Sequence, residues 1–212
     1  MEYETRPTSN LFMKGLEWVA FLAYVNLLWI GFTLIGLIVA GIGPATITVF
    51  SMIRSKLRQG DHSHIYRKFR SEYRTHFKAG NIYFGLVTSA ALFLYVDSRL
   101  IQALPPNPLI QAVVIPALII LTALLLVTAT FTIGYYLEYQ ENILISVKKG
   151  FWLSLVSPVS DLVIIHAFLF LALVLTYIPA FILFFSISLY GFITQWIMNK
   201  AFNRIKRRKK SL

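Results

Sequence analysis

His62, His64 and His76 are three of the four histidines in the chain. Imidazole nitrogens ligate divalent metals and move protons near neutral pH. His62-Ser63-His64, however, has no carboxylate or further histidine at ligand spacing, so a solvated loop is the plainer reading. His166 follows Asp161 by about one helical turn at the start of an apolar segment, where it could serve a proton or ligand step. Its closeness to the polar boundary favours a hydrogen-bonded structural role instead. Gly41, Gly43, Pro44, Ala45 and Thr46 form a candidate helix break. Such a break can aim a half-helix N-terminus at a solute, as in transporters. It can equally be a tight turn whose freed amides are met by threonine hydroxyls, and small residues need no ligand to turn.

Few other residues could do chemistry. No glycine-rich phosphate loop, Gly-x-Ser-x-Gly or His-Glu-x-x-His occurs. The chain has no cysteine, which removes disulfides, thiol nucleophiles and cysteine-ligated metals together. No relay of carboxylates crosses the apolar segments, as a proton-coupled pump would need. The expectation is therefore a protein that is not an enzyme, with no catalytic, cofactor or metal site.

The elements that carry these residues are apolar. Leu162 to Met198 contains no Asp, Glu, Lys or Arg, and neither does Trp18 to Ile53. As a straight helix the first of these runs would reach roughly 55 Å, against a hydrocarbon core of ~30 Å. Each run is too long for one span and suits two. The chain of 212 residues is 57% hydrophobic and 14% charged, where soluble domains carry about 25% charged residues. These features predict an all-α fold, a polytopic integral membrane helical bundle occupying 1–212 as a single domain. The expected helices are about 16–39, 44–58 (short or re-entrant), 81–96, 109–137, 162–178 and 180–198. Ile178-Pro179 is the expected reversal of the last hairpin. The N-terminal residues mix Glu2 and Glu4 with Arg6 and Lys14 rather than forming a basic leader, so the first apolar segment is expected to stay as an anchor.

The net charge is +11. Most of it sits in a loop, 54–78, and a tail, 199–212. Within the loop Ile65, Phe69, Tyr73 and Phe77 recur every four residues, with Arg67, Lys68, Arg70 and Arg74 between them. That spacing predicts an interfacial amphipathic helix suited to an anionic leaflet, with Asp61 or Ser63 as its cap. Arg67, Lys68, Phe69, Arg70 and Arg74, with Arg207 and Arg208 of the tail, form the candidate interfacial or partner surface. No nucleic-acid reading element accompanies the charge, so nucleic acid is not an expected partner. Positive charge gathers on the cytoplasmic side of membrane proteins. With six crossings, all but Arg99 of the 20 Lys and Arg lie inside; with five, Arg6 and Lys14 move outside. Either way the C-terminus is cytoplasmic, and six is favoured because one span cannot absorb the whole first run.

The order Asn26-Leu27-Leu28-Trp29, Gly43-Pro44-Ala45-Thr46, Arg54 to Arg58, Tyr66-Arg67-Lys68-Phe69-Arg70 and Phe77-Lys78-Ala79-Gly80-Asn81 resembles the YesL-like family of small bacterial integral membrane proteins. The family is classed as a domain of unknown function, and the likeness is sharpest between Asn26 and Asn81. Leu37-Ile38-Val39-Ala40 stands where the family often has Pro-Ile-Val-Thr. The resemblance implies a multi-pass protein of the bacterial cell membrane, accessory to oligosaccharide uptake beside ABC importer permease subunits. It implies no catalytic residues. The alternative is an autonomous small-solute transporter or channel, which would line a polar cavity with Asn26, Thr33, Thr46 or Gln195. A homo-oligomer is compatible with either.

Overall fold

The computed structural model describes the backbone of residues 7–59, 64–103, 105, 107–108 and 110–210. Its helices are α1 (Pro7–Ile35), α2 (Val39–Gln59), α3 (Ile65–Thr75), α4 (Phe77–Ala103), α5 (Ile115–Tyr139), α6 (Ile143–Val156), α7 (Pro158–Tyr177) and α8 (Ala180–Lys210), with a π-turn at Ile110–Val114 leading into α5. Five stretches are long and apolar enough to cross a membrane: 12–35, 77–103, 111–139, 158–177 and 180–199. The chain is a polytopic helical membrane protein. Backbone amides and carbonyls have no water to bind in hydrocarbon, so helices are the form such apolar runs must take.

The first run folds into α1 and α2, but it does not break where its glycines and proline suggest. Gly41, Gly43, Pro44, Ala45 and Thr46 all lie inside α2. The reversal falls at Gly36-Leu37-Ile38, with Leu37 and Ile38 in the left-handed region at φ 54° and 64°. That conformation is rare for a leucine and rarer for a β-branched isoleucine. It is held by close packing of the two helix ends. A Cβ at Gly36 would meet the Tyr73 hydroxyl at 2.7 Å, and one at Gly41 would meet Thr33 Cα at 2.7 Å. Pro44 sits early in α2, so its missing amide forfeits only the bond to the Ala40 carbonyl.

From the turn, α2 runs back along α1. Trp29 Nε1 donates to Thr46 Oγ1 at 3.1 Å, and Lys56 Nζ donates to the Glu17 carbonyl at 3.2 Å. Phe21, Leu22, Val25 and Phe32 of α1 pack against Ala45, Val49, Met52 and Ile53 of α2. α8 lies antiparallel to α1, where Trp18 stacks near Phe192 with ring centres 5.0 Å apart. It lies parallel to α2, where Gly191 faces Phe50 and Ile53. α4 and α5 are antiparallel, joined by the Tyr83 hydroxyl donating to the Ala129 carbonyl at 3.2 Å, with His76, just before α4, 3.1 Å from the Tyr136 hydroxyl. After a left-handed Gln140, α6 folds back on α5, capped by Asn142 and seated where Gly150 meets Thr132. Pro158 opens α7, and the last hairpin reverses at Ile178-Pro179.

α3 forms over the stretch whose spacing predicts an amphipathic helix, and its apolar side faces the bundle. Phe69 is 0% exposed, and Tyr73 is buried beside it. Their ring centres stand 5.1 and 5.0 Å from that of Phe32. Phe69 and Tyr73 are spent on α1 and α2, because aromatic area buried against rings gains dispersion contacts that a lipid surface supplies less tightly, while Phe77 begins α4 and is exposed. Asp61, His62 and Ser63, including the proposed caps, lie outside the described residues. α3 begins after His64, whose side chain makes no capping bond.

Candidate functional site

The polar side chains gather at one end of the bundle, around the last turns of α2. Arg54 and Arg58 stand four residues apart and so share a helix face. Both reach Glu138, at the end of α5, which is 2% exposed. The Arg58–Glu138 distance is 2.7 Å. Arg58 also donates through Nε and Nη2 to Asn199 Oδ1 of α8 at 3.1 and 3.0 Å. Arg54 reaches the Gly134 carbonyl as well. One carboxylate and two guanidinium groups thus tie α2, α5 and α8 together. Buried charges persist only when paired and hydrogen-bonded, and this set meets that condition.

The neighbouring face of α2 is tied to α3. Ser51 Oγ donates to Glu72 Oε2 at 2.9 Å, and Lys68 Nζ donates to Ser55 Oγ at 2.6 Å. His76, 2% exposed, shares a proton-bearing contact with Glu72 Oε2 at 3.0 Å and another with the Tyr136 hydroxyl at 3.1 Å. Glu72 and His76 are spaced i, i+4 across the junction of α3 and α4, so the pair sets the angle at which α4 leaves. The Glu72 carboxyl is held below its ordinary value, first by the His76 hydrogen bond against the opposing effect of burial, then by Ser51 and Lys68. Lys56, on the third side of α2, is buried, with its ammonium 4.6 Å from the Trp18 ring centre and 4.2 Å from that of Phe21.

Several residues read from the sequence fall elsewhere or take other parts. His76 is not in a solvated loop but in this network. Glu138, which borders the apolar run of α5, is the more buried of its two carboxylates. The signals were present: two arginines at i, i+4 with an acid ending an apolar run, and Glu72-x-x-x-His76. His166 Nδ1 is bound to its own helix at the Leu162 carbonyl, 2.7 Å away. His64 is exposed. Among the described residues no group of three His, Asp or Glu could hold a metal. Phe69 cannot belong to a partner surface, being buried, and Lys68 is turned to Ser55. Arg67, Arg70 and Arg74 are exposed on α3. Arg207 and Arg208 lie within α8, and their side chains lie outside those described.

None of the four polar residues of the channel alternative lines the groove between α4, α5 and α7. Asn26 is fully buried, donating to the Ile182 and Leu183 carbonyls at 3.1 and 2.9 Å and accepting from the Ile187 and Ser188 amides at 3.1 and 3.2 Å. It clamps α1 to α8. Thr46 accepts from Trp29, and Thr33 and Gln195 are buried.

A search of curated proteins finds two relatives along nearly the whole chain. The uncharacterized protein YesL of Bacillus subtilis (strain 168) is 32% identical over 193 residues, covering 91% of this chain and 90% of the relative. This chain belongs to the YesL-like family. The uncharacterized protein YteU of the same organism is 28% identical over 180 residues, covering 85% and 80% of the two chains. Residues 22–98 match the family described as protein of unknown function, DUF624. No solved structure matches the chain. The DUF624 span runs from within α1 into α4. It therefore takes in Ser51, Arg54, Arg58, Glu72 and His76 but neither Glu138 nor Asn199, which lie on later helices.

Proposed function

We propose that this YesL-like protein is a non-catalytic membrane partner of an oligosaccharide importer in the bacterial cell membrane, docking through its basic end. The observation that carries this reading is the division of labour among its charges. Arg54, Arg58, Glu138, Glu72 and His76 are engaged in fixing helices to one another. Arg67, Arg70 and Arg74 stand exposed on α3, a helix that Phe69 and Tyr73 anchor rigidly. Charges displayed on a fixed element favour docking, because little side-chain and loop entropy is left to lose on binding. The importer and its sugar rest on the family resemblance. Charge near an anionic leaflet adds ~1 kcal/mol per basic residue, which holds the same surface at the membrane.

The experiment is recovery of the tagged protein from native membranes in mild detergent, with lysine cross-linking and mass spectrometry. ABC importer permease subunits, cross-linked near Lys78 or the basic tail, are expected with the wild type. The Arg67→Ala/Arg70→Ala/Arg74→Ala variant should lose them several-fold while melting at the wild-type temperature. Recovery of the protein alone or only with itself would overturn the proposal.

A further inference from the structure

Beyond the basic end, α4, α5 and α7 separate to leave a groove of about 790 Å³. Ligand sites generally measure roughly 300–1,000 Å³. Most of its lining is apolar, with Val87, Leu126, Ala129, Ile165 and Phe168 on its walls, and the Thr122 hydroxyl of α5 is turned to the Leu118 carbonyl of its own helix at 2.8 Å. Towards the far end α4 contributes Ser98 and Gln102. The Ser98 hydroxyl is turned to the Tyr95 carbonyl at 2.7 Å. The groove is therefore apolar along most of its lining and polar at one end, and all three of its helices are among the stretches able to cross a membrane.

We propose that this groove holds one acyl chain of a phospholipid, inserted from the leaflet farthest from the Arg54–Glu138 cluster. Water does not fill a space lined this way, since apolar cavities stay dry. An unfilled groove would forfeit dispersion contacts along its whole lining. The neighbouring solvent in a bilayer is hydrocarbon chain, so the bilayer supplies the occupant without a binding partner. The polarity gradient selects an amphiphile. Gln102 stands at that polar end, beside the last residue of α4. A phospholipid brings its ester and phosphate oxygens to that level, where Gln102 can donate. The proposal does not depend on the importer reading, because the groove and the basic face lie on opposite ends of the molecule.

Native mass spectrometry of the protein extracted in mild detergent tests this. The wild type should retain a phospholipid. Ala91→Phe/Ala123→Phe fills the groove from two walls and should reduce the lipid-bound fraction several-fold. Leu92→Phe, on the exposed face of the same helix and outside the groove, should retain it and reports loss of ordinary surrounding lipid. Thermal melting of each variant reports folding. The proposal is overturned if the wild type carries no lipid, if the filled and Leu92→Phe variants lose or keep it alike, or if the wild type is a dimer that the filled groove separates.

Discussion

Glu138 concentrates the electrostatic risk of the molecule in one side chain. Its carboxylate is nearly inaccessible and accepts from two guanidinium groups. Removing one partner of a buried ion pair leaves the other charge without compensation, at about 3–5 kcal/mol, whereas replacing a pair together with apolar groups is often close to neutral. Glu138→Ala should therefore lower the melting temperature in detergent markedly, near the lower part of that range because Arg58 can still reach water. Arg54→Met/Glu138→Leu should recover a large share of the loss, with differential scanning fluorimetry as the measurement. A small effect of Glu138→Ala would mean that the arginines find other partners. At this scale the sequence was only partly legible. Arg54, Arg58 and Glu138 are visible as charges bordering apolar runs, but Glu138 lies 80 positions after Arg58, and only tertiary packing joins them. His76 was misread for a related reason. Its nearest acid, Glu72, sits one turn away on a helix read as interfacial, and burial of that helix's apolar side decides its role.

At the scale of elements, the contact of α2 with α4 is made by glycine on both sides. A Cβ at Gly43 would fall against the Gly80 carbonyl, and one at Gly80 against the Pro44 backbone. Backbone cannot yield as a side chain tip can, so Gly43→Ala should push the two helices apart and destabilise the protein strongly. Gly85, five residues further along α4, has open space about its Cα. Gly85→Ala should be neutral or stabilising by up to about 1 kcal/mol, as for any exposed helical glycine. Melting the two variants side by side checks this, and equal effects would remove the close approach from the account. The same glycines explain what sequence reading missed. Apolar runs bounded by charges reveal the long helices well. Gly41, Gly43 and Pro44 carry the local signature of a turn, yet here they serve close packing within α2. The true turn uses Leu37 and Ile38, whose left-handed conformation no local propensity favours. It is imposed by packing around Gly36, Gly41 and Tyr73.

Across the whole molecule, the direction of the helices sets which ends share a side. Lys56 at Glu17 places the end of α2 beside the start of α1. Arg58 at Asn199 places the end of α8 there too, and at Glu138 the end of α5. α2 carries Arg54, Lys56 and Arg58 and so is less apolar than the five evident spans, yet it runs back along α1 from turn to base. We take α2 as a sixth crossing beside the five evident spans, which sets the start of α1 and the end of α8 on one side. From the distribution of Lys and Arg we propose that this side faces the cytoplasm. The docking role proposed for Arg67, Arg70 and Arg74 requires it. The chain has no cysteine, so single cysteines can report sidedness without background. The decisive measurement is labelling of Lys14→Cys, Ser71→Cys and Asn107→Cys by a membrane-impermeant maleimide in intact and lysed cells. Asn107→Cys should react in intact cells, and the other two only after lysis. Reaction of Lys14→Cys or Ser71→Cys from outside would contradict the account.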